Sequence, residues 1–307
     1  MLLASLPDEI WVADVGDVPG VELERWDLHQ PHPRAEELDV VVPPYLDPHA
    51  RLDLLTSLPR LQVVQLLTAG YENVLPHIPD GVRLCNGAGI HDASTAELTV
   101  ALILASLRGI PDFVAAQSES RWLPVRIWPA LADRRALIVG YGHVGQAIVR
   151  RLLPFEVKIT AVASRPRDGD ELVDTVRGIS ELPALLPDQD VVILIVPLTD
   201  DTNRLADRDF LAAMKDGALL VNVARGQVVD TDALVAETQS GRLQAALDVT
   251  DPEPLPADHP LWRSPNVLIS PHVGGASTAF RPRAVALLRA QLRAYAAARP
   301  VDHVVNG

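Results

Sequence analysis

The sequence predicts an α/β protein of two domains, each a parallel sheet covered by helices. Three observations predict it. Short β-branched apolar runs alternate with helical patterns along the whole chain. The chain has 307 residues, a length that suggests about two domains. A glycine-rich turn at 140–145 follows a run of strand formers and opens a helix, so a second series of alternating elements starts near the middle.

In the first series, IWVADV (10–15), LDVVVPPYL (38–46), LQVVQLLTAG (61–70) and VRLCNGAG (82–89) read as buried strands. DPHARLDLLTSLP (47–59) reads as a helix between them. A helix over 91–110 follows, with Asp92 or Ser94 as its cap and Glu97 three residues after Ser94. Positions 98–107 are apolar on nearly every face, which predicts burial on several sides. Residues 111–134, with Trp122, Pro124, Trp128 and Pro129, read as an irregular arm. The second series has strands at 135–140, 157–162, 190–198, 218–226, 243–249 and 266–272. An amphipathic helix over 281–298 closes the chain.

Composition narrows the function. Apolar residues are 48% and charged residues 22%, as in globular proteins with a sizeable core. A formal net charge of −13 repels a phosphate backbone and an anionic membrane surface, so no nucleic acid and no membrane partner is expected. Local arginines still allow a small anionic ligand. Cys85 is the one cysteine, which rules out a disulfide framework and a cysteine metal cluster. No stretch approaches the ~20 apolar residues of a membrane helix, and MLLASLPDEIW is too short an apolar start for a signal peptide. A cytoplasmic protein is expected. Histidines 29, 32, 49, 77, 91, 259 and 303 show no metal-ligand spacing, and no metal is expected.

LIVGYGHVGQAIVRRL carries Gly140, Gly142 and Gly145 in G-x-G-x-x-G spacing between strand and helix, the context of a dinucleotide loop. Gly140 permits the tight turn, Gly142 lets the backbone approach a pyrophosphate, and Gly145 lets helix pack on strand. His143 and Val144 complete the loop, at a helix N-terminus that favours an anion. About 20 residues on, an acidic residue would hold the ribose 2′-hydroxyl of NAD. This chain instead reads AVASRPR over 161–167, without Asp or Glu. Ser164 can hydrogen-bond a 2′-phosphate, and Arg165 and Arg167 can pair with it. NADP is the expected cofactor and NAD the second choice.

A nicotinamide implies hydride transfer, which also needs a proton donor and a cation at the carbonyl oxygen. Arg225 in NVARGQVVD, Glu253 in LDVTDPEPLP and His272 in LISPHVGG each follow a buried strand, where ligands of open α/β sheets bind. These three segments in this order resemble the D-isomer-specific 2-hydroxyacid dehydrogenases. So do TAELTVALILASLR, the glycine loop, VPLTDDT (196–202) and the terminal HVVN. The resemblance covers nearly the whole chain and is strongest from about 94 to 278.

That resemblance implies Arg225 on the substrate carboxylate and carbonyl oxygen, His272 as acid/base, and Glu253 bonded to His272. It implies Asp248 at the nicotinamide carboxamide, Pro197 and Thr202 at the cofactor, and the backbone at Ala69 and Gly70 around the substrate carboxylate. Tyr71, and more weakly Pro43, Pro44 and Tyr45, are pocket candidates. Where the family has Gly-x-Asp, this chain reads AGYENV with Glu72 at the acidic position. The implied architecture is two Rossmann-like or flavodoxin-like domains with an interdomain cleft. Residues 1–95 and 276–307 form a substrate domain, and 96–275 form the dinucleotide domain. A homodimer through the central helix and the arm is implied as well.

The implied reaction is NADPH-linked reduction of a small 2-oxoacid to a D-2-hydroxyacid, or its reverse, with glyoxylate and hydroxypyruvate the first substrates to try. The same fold also serves as a dinucleotide-sensing co-repressor. The complete Arg225–Glu253–His272 set and the lack of a long disordered tail argue against that. A dehydrogenase of formate or phosphite would keep both fold and arginine; substrate profiling separates it.

Overall fold

The structure, a computed structural model, describes residues 1–45 and 47–306. The last residue of the predicted 38–46 strand, Leu46, and the terminal Gly307 lie outside the described residues. The chain divides into two compact units, Met1–His91 with Thr278–Gly307, and Asp92–Ser277.

The first unit holds a five-stranded sheet of β1 (Leu2–Leu6), β2 (Val21–Arg25), β3 (Leu38–Val41), β4 (Val63–Gln65) and β5 (Arg83–Cys85). The order is β2-β1-β3-β4-β5 and every pair is parallel, one of the common doubly wound orders. Helices α1 (Glu9–Val15) and α8 (Phe280–Ala296) belong to this unit. Their buried faces, Trp11 and Val15 with Ala284, Leu288 and Leu292, pack on Ala4, Leu6, Val40, Val42 and Val63.

The sequence misassigns 10–15, which is helix and not strand. The Asp8 carboxylate accepts the Ile10 and Trp11 N–H groups and starts the helix. Trp11 and Val15 then fall on one face, four residues apart, while Ile10 points to solvent. The first strand lies earlier, at Leu2–Leu6. The predicted helix at 47–59 is reduced to a tight 3₁₀ turn over Leu52–Ser57, with Pro48 and Pro59 on either side.

The second unit holds an eight-stranded sheet: β6 (Arg135–Val139), β7 (Lys158–Ala163), β8 (Arg167–Asp168), β9 (Thr175–Gly178), β10 (Val191–Leu194), β11 (Leu219–Asn222), β12 (Gln244–Leu247) and β13 (Val267–Ile269). Its order is β13-β12-β11-β10-β6-β7-β9-β8, parallel except for the β8–β9 hairpin. Strand order reverses at β6, the switch point where such sheets take dinucleotides. Helices α2 (Asp92–Leu107), α3 (Ile110–Ser118), α4 (His143–Leu152), α5 (Leu182–Leu185), α6 (Arg208–Ala213) and α7 (Thr231–Gln239) complete the unit.

Strands buried on both faces explain the continuous apolar runs. One face carries Ile103, Ile138, Ile148, Val191 and Val221; the other carries Leu137, Leu186, Leu194, Leu211 and Leu220. Predicted burial of the 91–110 helix is seen in α2, where Ala96, Thr99, Leu102, Ile103 and Leu107 are buried. Gly109 breaks it from α3 in a left-handed turn of φ 65°, and a Cβ there would meet the Trp128 ring at 2.1 Å. The segment read as an irregular arm is therefore helical over Ile110–Ser118 and non-regular over 121–130. No single helix among the described residues is long and apolar enough to cross a membrane.

Candidate active site

Parallel pairing brings the strand ends of the larger unit to one edge. Val162, Val139, Leu194, Asn222, Leu247 and Ile269 are successive neighbours in register across β7, β6, β10, β11, β12 and β13. The segments leaving them carry Ser164, Gly140, Pro197, Arg225, Asp248 and His272.

The glycine loop fits a dinucleotide on its own geometry. Gly140 has φ 112°, and a Cβ on it would lie 2.3 Å from the Ile195 carbonyl oxygen. A Cβ on Gly145 would lie 2.2 Å from the Gly140 oxygen, so helix and turn touch backbone to backbone. Around Gly142 there is open space. Gly142 also precedes α4 with no side-chain cap, and His143 is exposed there while Val144 is half-buried. A pyrophosphate needs this combination: an uncapped helix N-terminus and room for close approach. The Pro197 loop lies alongside, since Gly140 packs on Ile195. Within it the buried Thr202 hydroxyl donates to the Pro197 oxygen at 2.6 Å and accepts the Thr199 N–H at 2.8 Å.

Ser164, Arg165 and Arg167, which follow β7, are exposed, and only Pro166 stands between the two arginines in sequence. They differ in commitment. Arg167 donates through Nη2 to the Tyr141 carbonyl oxygen at 2.7 Å, which ties it to the glycine loop. The Arg165 guanidinium meets no partner among the described residues.

His272 and Glu253 lie side by side. His272 Nδ1 lies 2.6 Å from Glu253 Oε1, with both side chains partly open to solvent. An ionised glutamate only accepts, so Nδ1 carries the proton in this pair. His272 has φ 53°, an unfavourable value for a residue with a Cβ. Asp248 fixes that turn. Its peptide oxygen accepts the His272 N–H at 2.8 Å. Its buried carboxylate accepts Ser270 Oγ at 2.6 Å and the Val273 and Gly274 N–H groups at 2.9 and 2.8 Å. Sequence reasoning assigned Asp248 by resemblance to the nicotinamide and missed these bonds.

Arg225 follows β11 in a turn built by Asn222, another residue the sequence reading missed. The Asn222 side chain accepts the Ala224 N–H at 3.1 Å and donates to the Arg225 oxygen at 2.9 Å. A Cβ on Gly226 would lie 1.9 Å from the Thr250 oxygen, so the Arg225 turn presses on the loop that leads to Glu253. The signal for both was a polar residue ending an otherwise apolar strand, in LLVN and in QAALD.

In the smaller unit the Ala69 carbonyl accepts Asn86 Nδ2 at 2.8 Å and the Gly70 carbonyl accepts the Thr68 hydroxyl at 2.7 Å. Glu72, at the position of the family's Asp, takes the Tyr71 N–H at 2.9 Å. Tyr45 is stacked on Phe280, ring centroids 4.5 Å apart, which commits its ring to the core.

A dinucleotide loop, a histidine–carboxylate pair and a strand-end arginine on one edge define a nicotinamide-linked oxidoreductase of the doubly wound α/β class. Comparison with known proteins makes this specific. Residues 100–274 match the model of the D-isomer specific 2-hydroxyacid dehydrogenase NAD binding domain. The chain is 33% identical over 270 residues to human glyoxylate reductase/hydroxypyruvate reductase, spanning 83% of this chain and 82% of that one. Two solved structures superpose closely. One is a D-isomer specific 2-hydroxyacid dehydrogenase from Xanthobacter autotrophicus in complex with NADPH and MES (TM-score 0.83, 28% identity, 99% and 98% of the two chains). The other is an NADPH-dependent glyoxylate/hydroxypyruvate reductase from Sinorhizobium meliloti in complex with NADP and sulfate (TM-score 0.82, 25% identity, 99% and 97%). The chain belongs to the D-isomer specific 2-hydroxyacid dehydrogenase family and is an oxidoreductase with a nicotinamide dinucleotide cofactor.

The loop geometry separates two substitutions. Gly145→Ala forces helix from turn and should destabilise the protein by about 2 kcal/mol or more. Gly142→Ala meets open space and loses only the preference of a helix cap for Gly over Ala, so it should cost about 1 kcal/mol or less. Urea unfolding of both variants measures the difference.

Proposed function

We propose that the protein reduces a small 2-oxoacid, glyoxylate or hydroxypyruvate first, to its D-2-hydroxyacid with NADPH, or runs the reverse reaction. The observation that carries this reading is the 2.6 Å His272–Glu253 pair on the strand-end edge that also bears Arg225. Bound NADPH would supply the hydride. Arg225 holds the substrate carboxylate and carbonyl oxygen with a permanently charged, planar fork. His272 Nε2 gives its proton to the carbonyl oxygen as the carbon accepts the hydride, and Glu253, accepting from Nδ1, fixes the plane of the ring. In the reverse direction the same nitrogen removes the hydroxyl proton.

The remaining assignments follow the same reading. The backbone at Ala69 and Gly70 and the Tyr71 ring bind the substrate end. Gly140, Gly142, His143, Val144 and Gly145 hold the pyrophosphate, Pro197 and Thr202 flank the cofactor, and Asp248 meets the nicotinamide carboxamide. Residues 1–95 and 276–307 serve the substrate, and 96–275 serve the cofactor.

NADP over NAD rests on Ser164, Arg165 and Arg167 standing where a carboxylate would repel a 2′-phosphate. It is supported by the NADPH- and NADP-bound relatives. A cytoplasmic site of action goes with a single buried cysteine and a reduced dinucleotide as reactant. A homodimer is supported by the arm, where Trp122, Val125 and Ile127 are almost wholly exposed, a costly display for a monomer.

Steady-state oxidation of NADPH and NADH with a panel of 2-oxoacids tests the activity. NADPH-preferring turnover of glyoxylate or hydroxypyruvate is expected; binding without turnover on any 2-oxoacid would refute it. His272→Ala should lower kcat about 10²–10⁴-fold with NADPH affinity nearly intact. Arg165→Ala combined with Arg167→Ala should weaken NADPH far more than NADH, and equal losses would remove the 2′-phosphate assignment. Sedimentation should give twice the 33.2 kDa chain mass, and a monomer would remove the dimer assignment.

A further inference from the structure

Tyr141 sits between the first two glycines of the dinucleotide loop, a variable position of the motif. Its side chain is 3% exposed, although the loop around it is open. The hydroxyl donates to the Asp170 carboxylate, 2.9 and 3.0 Å from its two oxygens. At its other end the Tyr141 carbonyl accepts Arg167 Nη2 at 2.7 Å, and the Arg167 guanidinium lies 5.9 Å from the ring centroid. One residue therefore holds both a guanidinium assigned to the cofactor and a carboxylate three positions away from it in sequence.

Asp170 is a threat to a 2′-phosphate site. It lies in the connection between β8, which begins with Arg167, and β9, and the Leu172 N–H together with the Tyr141 hydroxyl hold its carboxyl below the usual carboxylate range. A free aspartate there would pair with an arginine and compete with phosphate for it. The structure shows that carboxylate occupied instead. Besides Tyr141 it accepts the Leu172 and Val173 N–H groups at 2.9 and 3.3 Å and Gln146 Nε2 at 3.3 Å, and no ion pair joins it to an arginine among the described residues. Burial and the adjacent aspartate push the Tyr141 phenol well above its ordinary range, so it stays a donor.

We propose that Tyr141 is a specificity-positioning residue. By holding the Asp170 carboxylate, it keeps Arg167 available to a phosphate monoester on the adenosine ribose and so sets the preference for NADPH over NADH. The inference rests on the NADP reading above and adds to it the residue that makes Arg167 usable beside a fixed negative charge. Only the Tyr141 hydroxyl reaches Asp170, while the loop offers the pyrophosphate its backbone, so loss of the hydroxyl alone should leave affinity for NADH unchanged.

Equilibrium titration of the full-length enzyme with NADPH and with NADH, followed by nicotinamide fluorescence, tests this without turnover. Tyr141→Phe keeps the buried ring and loses only the hydroxyl. It should weaken NADPH about tenfold, the scale of one hydrogen bond to a charged group, and leave the NADH dissociation constant unchanged. Adding Asp170→Asn removes the freed charge and should restore most of the NADPH affinity. A Tyr141→Phe enzyme that loses both cofactors equally, or neither, overturns the inference while the arginine assignment stands. So does a double variant that fails to recover. A wild-type enzyme without NADPH preference overturns the arginine assignment and this inference together.

Discussion

A parallel strand cannot return directly to its neighbour; each needs a crossover, and so every strand of the larger unit points the same way except in the β8–β9 hairpin. That constraint gathers the chemistry. Residues as far apart in sequence as Gly140 and His272 leave the same edge because Val139 and Ile269 end strands aligned through Leu194, Asn222 and Leu247. The core holds the register. A one-residue slip of β11 or β12 would turn Asn222 or Asp248 toward apolar surroundings and leave a buried polar group without partners.

The edge also imposes a backbone problem, and polar strand-end residues solve it. His272 leaves β13 in a left-handed conformation that a side chain with a Cβ resists. The compensating bonds converge on Asp248, whose peptide oxygen and two carboxylate oxygens accept from 270, 272, 273 and 274. On the neighbouring strand Asn222 does the same for Arg225. A residue can therefore be required at this edge for the shape of a turn as well as for contact with a ligand. Asp248 carries the first requirement visibly, and it leaves limited acceptor capacity for the second.

What the sequence revealed follows the strength of local signals. The glycine loop was legible because three glycines at fixed spacing lie between an apolar run and a helix, and each meets a backbone demand at its own position. Arg225, Glu253 and His272 stand out in the sequence by their order after buried strands, and the structure brings His272 and Glu253 together. Helix α1 was not, because IWVADV is too short to separate period 2 from period 3.6, and the deciding group is the Asp8 cap outside the run. The β8–β9 hairpin was not, because β8 is two residues long and its turn is closed by Asp170, whose partner Tyr141 is 29 residues away. A hydrogen bond at that separation leaves no period in a sequence.

Charge shows the same division between global and local. By its net charge of −13 alone, the chain is a poor host for a dinucleotide phosphate and a carboxylate substrate. Screening at physiological salt reduces the whole-chain charge to little beyond about 8 Å, so what an anion meets is its immediate surroundings. At the glycine loop these are an uncapped helix N-terminus and open space at Gly142. Past the end of β7 they are the exposed Arg165 and Arg167, with Asp170 saturated by hydrogen bonds from 141, 146, 172 and 173. Acidic residues are tolerated beside an anion site when their oxygens are already spent, and the arrangement of donors around Asp170 decides the local sign more than the count of charges does.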